Sequence, residues 1–151
     1  MISIIDYEDK YEVHFRQLNL EWLNKYNLAE THDLMILDNP RKTIIDSGGF
    51  IYLARYGEEI VGSAAIMKEH DLEYELVKMA VALEHQGKGI SKLLLEKCLN
   101  KAKEIGVKKL MLFSNSQLQR AIKLYSKYGF YHVPAINSPY GSADVKMELE
   151  L

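Results

Sequence analysis

The chain has 151 residues, 48% of them hydrophobic, and a formal net charge of −2 at pH 7. That is enough apolar material for one packed domain over residues 1–151 and it excludes wholesale disorder, while the near-neutral charge calls for no nucleic acid and no membrane surface as partner. The single cysteine, Cys98, excludes an internal disulfide framework and a cysteine-based zinc site, and no metal site is read from the other residues.

The first residues, MISIIDYEDKYE, lack a basic stretch followed by a long apolar run. No segment approaches the roughly 18 apolar residues of a membrane span, so the expected location is cytoplasmic. Ile2–Asp6 is a short apolar strand. Val13, Phe15, Leu18, Trp22, Leu23 and Tyr26 recur at spacings near three and four, which predicts a helix packed by one face. Thr31 is expected to cap a second short helix running toward Leu37 and ended by Asn39-Pro40. Arg41–Ile45 adds a helical turn, and Gly48-Gly49 breaks the chain.

A strand meander follows. Phe50–Arg55 and Ile60–Met67 are strands joined by the turn Tyr56-Gly57-Glu58-Glu59. Lys68–Asp71 is a second polar turn, and Leu72–Val81 the next strand. Ile90, Leu93, Leu94, Leu95, Cys98, Leu99, Ala102 and Ile105 form a helical stripe stopped by Gly106, with Cys98 as a small core residue. Lys108–Ser114 is a strand, and Leu118, Ala121, Ile122, Leu124 and Tyr125 mark a helical face ending before Gly129. Phe130–Val133 and Val145–Leu151 are the last strands, separated by the loop Pro134–Ala143. Tight turns in the middle predict antiparallel pairing, and the long helix before Lys108 predicts a parallel crossover. The expected fold is therefore mixed α/β: one mostly antiparallel sheet of six or seven strands with helices on both faces.

The stretch Glu75–Leu95 carries the chemistry. A strand runs into a basic-polar turn with two glycines, and the turn opens a helix. The first N–H groups of a helix have no partner inside it, and together with the positive end of its dipole they suit a diphosphate. A Walker loop fails here, because Gly87-Lys88-Gly89 lacks its spacing. A dinucleotide fingerprint fails because Lys92 stands where its third glycine belongs.

Gln86-Gly87-Lys88-Gly89-Ile90-Ser91 resembles the acyl-CoA pyrophosphate motif Q/R-x-x-G-x-G/A of the GCN5-related N-acetyltransferase (GNAT) family. Gln86 and Gly89 match, and Ser91 stands where glycine or alanine is usual. Ala121–Phe130, AIKLYSKYGF, resembles the family's other signature, A-I-x-L-Y-x-K-x-G-F. Gly48-Gly49-Phe50, Glu75-Leu76-x-Lys78-Met79 and Ser138-Pro139-Tyr140 resemble pieces of one branch of the family. Many relatives carry an asparagine where this chain has Leu118, and Asn115 is the nearby substitute for that polar contact.

The resemblance implies a GNAT-like domain with its fourth and fifth strands splayed apart, and acetyl-CoA as cofactor. It implies direct transfer of an acetyl group to the primary amine of a small molecule or amino acid. The amides of Gln86, Gly87, Lys88, Gly89, Ile90 and Ser91 would then cradle the diphosphate. The backbone of Met79, Ala80 and Val81 would pair with the pantetheine arm, with an N–H near Met79 or Ala80 as oxyanion donor. Tyr125 takes the place of the family's general acid, since a phenol with a pKa of roughly 10 keeps its proton at pH 7. Lys127 either reaches the cofactor's phosphates or stands as a solvated lysine. Glu75 is the expected base, with Glu73 on the same strand face; His70 and His85 read as turn residues. Glu30, Asp33, Glu73 and Glu75 could attract a cationic amine, and Asn137–Ser142 could close over it. Two other readings stand beside this one: a non-catalytic acyl-CoA sensor or scaffold, and a nucleotide site built on Gly87-Lys88-Gly89. Asp144–Leu151 is expected to support a homodimer by pairing between subunits.

Overall fold

Period-two alternation and tight polar turns build a seven-stranded sheet. In the computed structural model, which describes all 151 residues, the strands are β1 (Ile2–Asp6), β2 (Phe50–Tyr56), β3 (Glu59–His70), β4 (Glu73–Val81), β5 (Lys109–Ser114), β6 (Tyr131–Val133) and β7 (Val145–Glu150). Their spatial order is β1-β2-β3-β4-β5-β7-β6, and only β4 and β5 run parallel. The helices are α1 (Glu12–Lys25), α2 (Thr31–Asp38), α3 (Ile90–Glu104) and α4 (Gln119–Lys127). None of them is long and apolar enough to cross a membrane.

Alternation along β2 sends its side chains into two cores. Tyr52 and Ala54 join the buried face of α3 and α4, whereas Ile51 and Leu53 join residues of α1 and α2 on the other side. Leu93 and Ile105 of the expected α3 stripe lie off its buried face and are exposed, but most of the stripe is buried, with Leu94, Leu95, Cys98 and Ala102 fully so. Each leucine contributes about 2 kcal/mol of burial. Gly62 on β3 lets α3 lie close, because a Cβ there would come within 3.1 Å of Ile90 and Leu94. Burial pushes the Cys98 thiol up to about 12, so it stays protonated in the core.

Several boundaries differ from expectation. Thr31 is the first residue of α2, not its cap. Glu30 caps instead, and Asp33 returns the bond from its side chain to the Glu30 N–H at 3.1 Å. β3 continues to His70, because ladder bonds to β4 outweigh the polarity of Lys68 and Glu69. Helical turns at Asp9–Tyr11 and Leu83–His85 are too short to leave a periodicity. β7 is paired on both sides, to β5 and β6, so the C-terminal strand offers no free edge for a partner. The edges are β1 and β6.

The feature that matters for function is where pairing stops. The β4–β5 ladder runs from Glu73–Lys109 to Glu75–Met111 and ends there. β4 continues to Val81 and β5 to Ser114, so the two strands splay apart.

Candidate active site

A cavity of about 510 Å³ fills the splay. Leu76–Val81 line one side of it and Leu112–Asn115 the other, with α1 above and the start of α3 at its mouth. Most of the residues expected to hold a ligand meet here.

The glycine turn forms the mouth. Gly87 and Gly89 have φ of +81° and +77°, and Gly89 caps α3 with no side-chain bond to the first turn. A Cβ at either glycine would touch nothing within 4 Å, so backbone conformation alone demands glycine. Gln86, Gly87, Gly89, Ile90 and Ser91 line the cavity. Lys88 does not. Its ammonium lies 3.4 Å from His85 Nδ1 and over the Tyr56 ring, where aromatic contact holds it away from the mouth.

Deeper in, β4 bulges. Ala65 pairs with Val77 and Ser63 with Ala80, so Ala64 faces both Lys78 and Met79. Lys78 sits at φ +55°, costly for a residue with a side chain. Two buried groups hold it. Ser63 Oγ donates to the Lys78 carbonyl at 2.6 Å, and Asn19 Nδ2 donates to Ser63 Oγ at 3.0 Å. The Lys78 ammonium pairs with Asp33, both side chains being about 5% exposed or less. Ala82 N–H donates to Val61 on β3 at 2.8 Å, so alternation turns the backbone of Val81 and Met79 toward the cavity. Gln86 Nε2 donates to the Val81 carbonyl from that side, at 3.2 Å.

Glu75 lies where the ladder ends. It is 3% exposed, lines the cavity and pairs with no basic residue. Burial, then the nearby charge of Glu69, push its carboxyl up to about 8. Tyr125 projects from α4 into the same cavity, its ring edge-on to Phe130 at 5.8 Å. Burial raises its pKa, so the hydroxyl holds its proton.

A roof covers this inner end. Glu30 accepts from Gly141 N at 2.7 Å, Ser142 N at 3.1 Å and Ser142 Oγ at 2.5 Å, pinning the loop expected to close there. Those bonds, led by the Ser142 hydroxyl, hold the Glu30 carboxyl below its ordinary value. Tyr140 on that loop stacks edge-on with His32 at 4.9 Å and lies 5.4 Å from the Lys78 ammonium.

Other expected residues fall elsewhere. Lys127 is exposed and outside the cavity, on the solvent side of α4. Glu73 lies outside too, 3.7 Å from Lys109 in an ion pair. Asn115 lines the cavity, but its amide donates to the Ser142 carbonyl at 2.7 Å and accepts from Gln117 N at 3.0 Å. It holds the roof loop. Asn19, Ser63 and the roles of Lys78 and Tyr140 were not legible in the sequence; the one signal was that Lys78 and Tyr140 fall within motif-like pieces.

The acetyltransferase (GNAT) family model matches residues 12–130. The chain belongs to the GNAT family. It is similar to the uncharacterised N-acetyltransferase YvbK of Bacillus subtilis, 30% identical over 121 residues that cover 78% of this chain and 77% of that protein. Among solved structures it is similar to a GNAT acetyltransferase from Staphylococcus aureus Mu50, with a TM-score of 0.92 at 24% identity over 100% of this chain and 99% of that one. It is also similar to a GNAT acetyltransferase from Elizabethkingia anophelis with acetyl-CoA bound, with a TM-score of 0.64 at 26% identity over 99% and 98%.

This GNAT chain is thus an N-acetyltransferase, and its cofactor is acetyl-CoA. The site suits that cofactor on its own terms. The uncapped start of α3 offers amides to a diphosphate, and the open edge of β4 offers a backbone rail to an extended amide-bearing arm.

Proposed function

We propose that this GNAT enzyme acetylates the primary amine of a small molecule or amino acid, and that the amine attacks the thioester directly. The observation that carries the proposal is the convergence on one cavity of an uncapped helix start, an open strand edge, a buried acid with no basic partner and a buried phenol. The roof argues for a small acceptor, since a polypeptide would have to displace the Glu30 bonds to Gly141 and Ser142.

Acetyl-CoA supplies the acetyl group as a thioester. The amides of Gly89, Ile90 and Ser91 bind the diphosphate, with Gln86 and Gly87 shaping the approach. Met79 and Val81 present N–H and carbonyl groups along the open edge of β4, and the Met79 N–H is the donor for the thioester oxygen. Glu75 removes a proton from the acceptor, whose free ammonium has a pKa near 10 and cannot attack. Its own raised pKa makes it a better base near neutrality. As the carbon–nitrogen bond forms and the carbon–sulfur bond breaks, Tyr125 gives its proton to the leaving sulfur.

Calorimetric titration with acetyl-CoA, followed by thiol release across a panel of small amines, tests the proposal. Cofactor binding with turnover of small amines supports it. Binding without turnover would favour a sensor module, and no binding near millimolar cofactor would remove the cofactor site. Within that assay Tyr125→Phe is expected to lower kcat by about 100-fold with little change in cofactor affinity. Unchanged turnover would reject the phenol as acid.

A further inference from the structure

We infer that the acceptor is a primary amine with no carboxylate beside it: an alkyl or arylalkyl monoamine, and not an α-amino acid. The inference rests on the cavity being the acetyl-acceptor site, and narrows that reading by charge.

The acidic and basic side chains lining the cavity divide between its two ends, and His85, beside the glycine turn, belongs to the mouth. Lys92 and Arg120 stand in the first turns of α3 and α4, at the mouth where the diphosphate binds. The strand from Val81 back to Glu75 separates that mouth from the inner end by about 20 Å. At the inner end, Lys78 and Asp33 answer each other, both almost fully buried, and Asp33 also accepts the Glu30 N–H. Glu30 is occupied by the three bonds that pin the roof loop. That leaves Glu75, 3% exposed, which lines the cavity with no basic partner; its one side-chain partner is the carboxyl of Glu69, another acid.

So the inner end holds an acid pair, Glu75 with Glu69, that no cation answers, and the Lys78 ammonium is already committed to Asp33. An ammonium arriving there meets an acid pair that carries negative charge and has no counter-charge. An α-carboxylate would arrive two bonds away from that ammonium, stripped of water, next to Glu75 and with nothing to pair it. Lys78 cannot serve without abandoning Asp33 as a lone buried charge. The cavity wall suits a carbon skeleton, since Trp22 and Leu23 of α1, Leu28 just beyond it and Tyr140 line it.

Matched acceptors that differ only in the carboxylate test this. Thiol release at saturating acetyl-CoA is measured for 2-phenylethylamine against phenylalanine and for tyramine against tyrosine, with phenylalaninamide as a probe of similar size and no negative charge. The expected kcat/KM is at least about tenfold higher for each amine than for its amino acid, the penalty of a like charge in a dry site. Phenylalaninamide should side with the amines, and Glu75→Gln should narrow the gap. Amino acids turned over as well as the amines would overturn the inference while leaving the small-amine reading intact. Phenylalaninamide as poor as phenylalanine would also overturn it, because size and not charge would then discriminate. Cofactor binding with turnover of neither series would remove the small-amine reading, and this inference with it.

Discussion

Two stretches beside the cavity hold backbone in the left-handed region, and they do so by different means. At Gly87 and Gly89 the positive φ is reached by deleting the side chain, with empty space around both residues. At Lys78 the same region is reached with one of the longest side chains, tethered at both ends. Ser63 and Asn19 hold its carbonyl, and Asp33 holds its ammonium. The first solution is local and costs little. The second spends tertiary interactions from α1, α2 and β3 to offset strain of about 1–2 kcal/mol, and in return it sets the direction of the next N–H, that of Met79. The turn can therefore tolerate change in its surroundings, whereas the bulge depends on residues far along the chain.

The comparison is broken most severely at Asp33. Asp33→Ala strands the Lys78 ammonium in the interior and should destabilise the fold by about 3–5 kcal/mol. Thermal or urea unfolding measures it, and a loss under 1 kcal/mol would mean that the pair does not hold the bulge. Ser63→Ala is the next test. It leaves the Lys78 carbonyl and the Asn19 amide each short of a bond, for a loss of about 1–3 kcal/mol. Turnover should fall more than acetyl-CoA affinity, measured by calorimetry, since the bulge positions the Met79 N–H while the proposed diphosphate turn lies beyond it.

Gly89→Val probes the local solution. No neighbour meets the new Cβ, so the whole effect is the left-handed penalty of about 1–2 kcal/mol. It should appear as roughly tenfold weaker acetyl-CoA binding by calorimetry. Equal affinity would show that the turn can relax without losing its amides.

The smallest effect concerns Glu75, next to the bulge, and it has a definite sign. Its carboxyl is raised from 4.5 to about 8, so between those values the folded chain binds more protons than the unfolded one. Stability is therefore greatest below pH 4.5 for this group and falls as pH rises toward 8. Glu75→Gln should remove that slope, a gain on the order of 1 kcal/mol at pH 8.5 relative to the parent chain. Activity runs the opposite way, because kcat/KM should rise with pH as Glu75 loses its proton, and the variant should lose that limb. A pH–rate profile that is flat in the parent chain would reject Glu75 as the base.

The sheet and its helices were readable in the chain because their signals are short-range. The α3 stripe from Ile90 to Ala102, the turn at Gly57 and the glycine stop at Gly106 each announce themselves within one or two turns of chain. The glycine turn that opens α3 was readable for the same reason. What the sequence left open was residue-level placement, and for Lys127 the solvated alternative is the one the fold adopts. Lys88 and Lys127 carry the right charge at motif positions, yet Lys88 lies against His85 and Tyr56 and Lys127 faces solvent. Four acids stood as candidates to draw in an amine, with a surface role as the alternative for Glu30 and Asp33. The fold spends Asp33 on Lys78, Glu30 on the roof and Glu73 on Lys109, and leaves Glu75. Pairing partners across a sheet leave no trace in spacing, so a list of acids could not be sorted into spent and free.

The sequence by itself determined the elements, the parallel crossover between β4 and β5 that the long α3 requires, and the glycine-led start of α3, since each follows from patterns over neighbouring residues; the splay of the two strands was implied only by the family resemblance. Only the tertiary structure decided which charges stay unpaired and where the Met79 N–H points. Those outcomes depend on contacts such as Asp33 with Lys78, 45 residues apart, and Glu30 with Gly141, 111 apart. Burial then decides which of the surviving charges matters, because a carboxylate is an ordinary solvated group at the surface and a base in want of a proton when water is removed from around it.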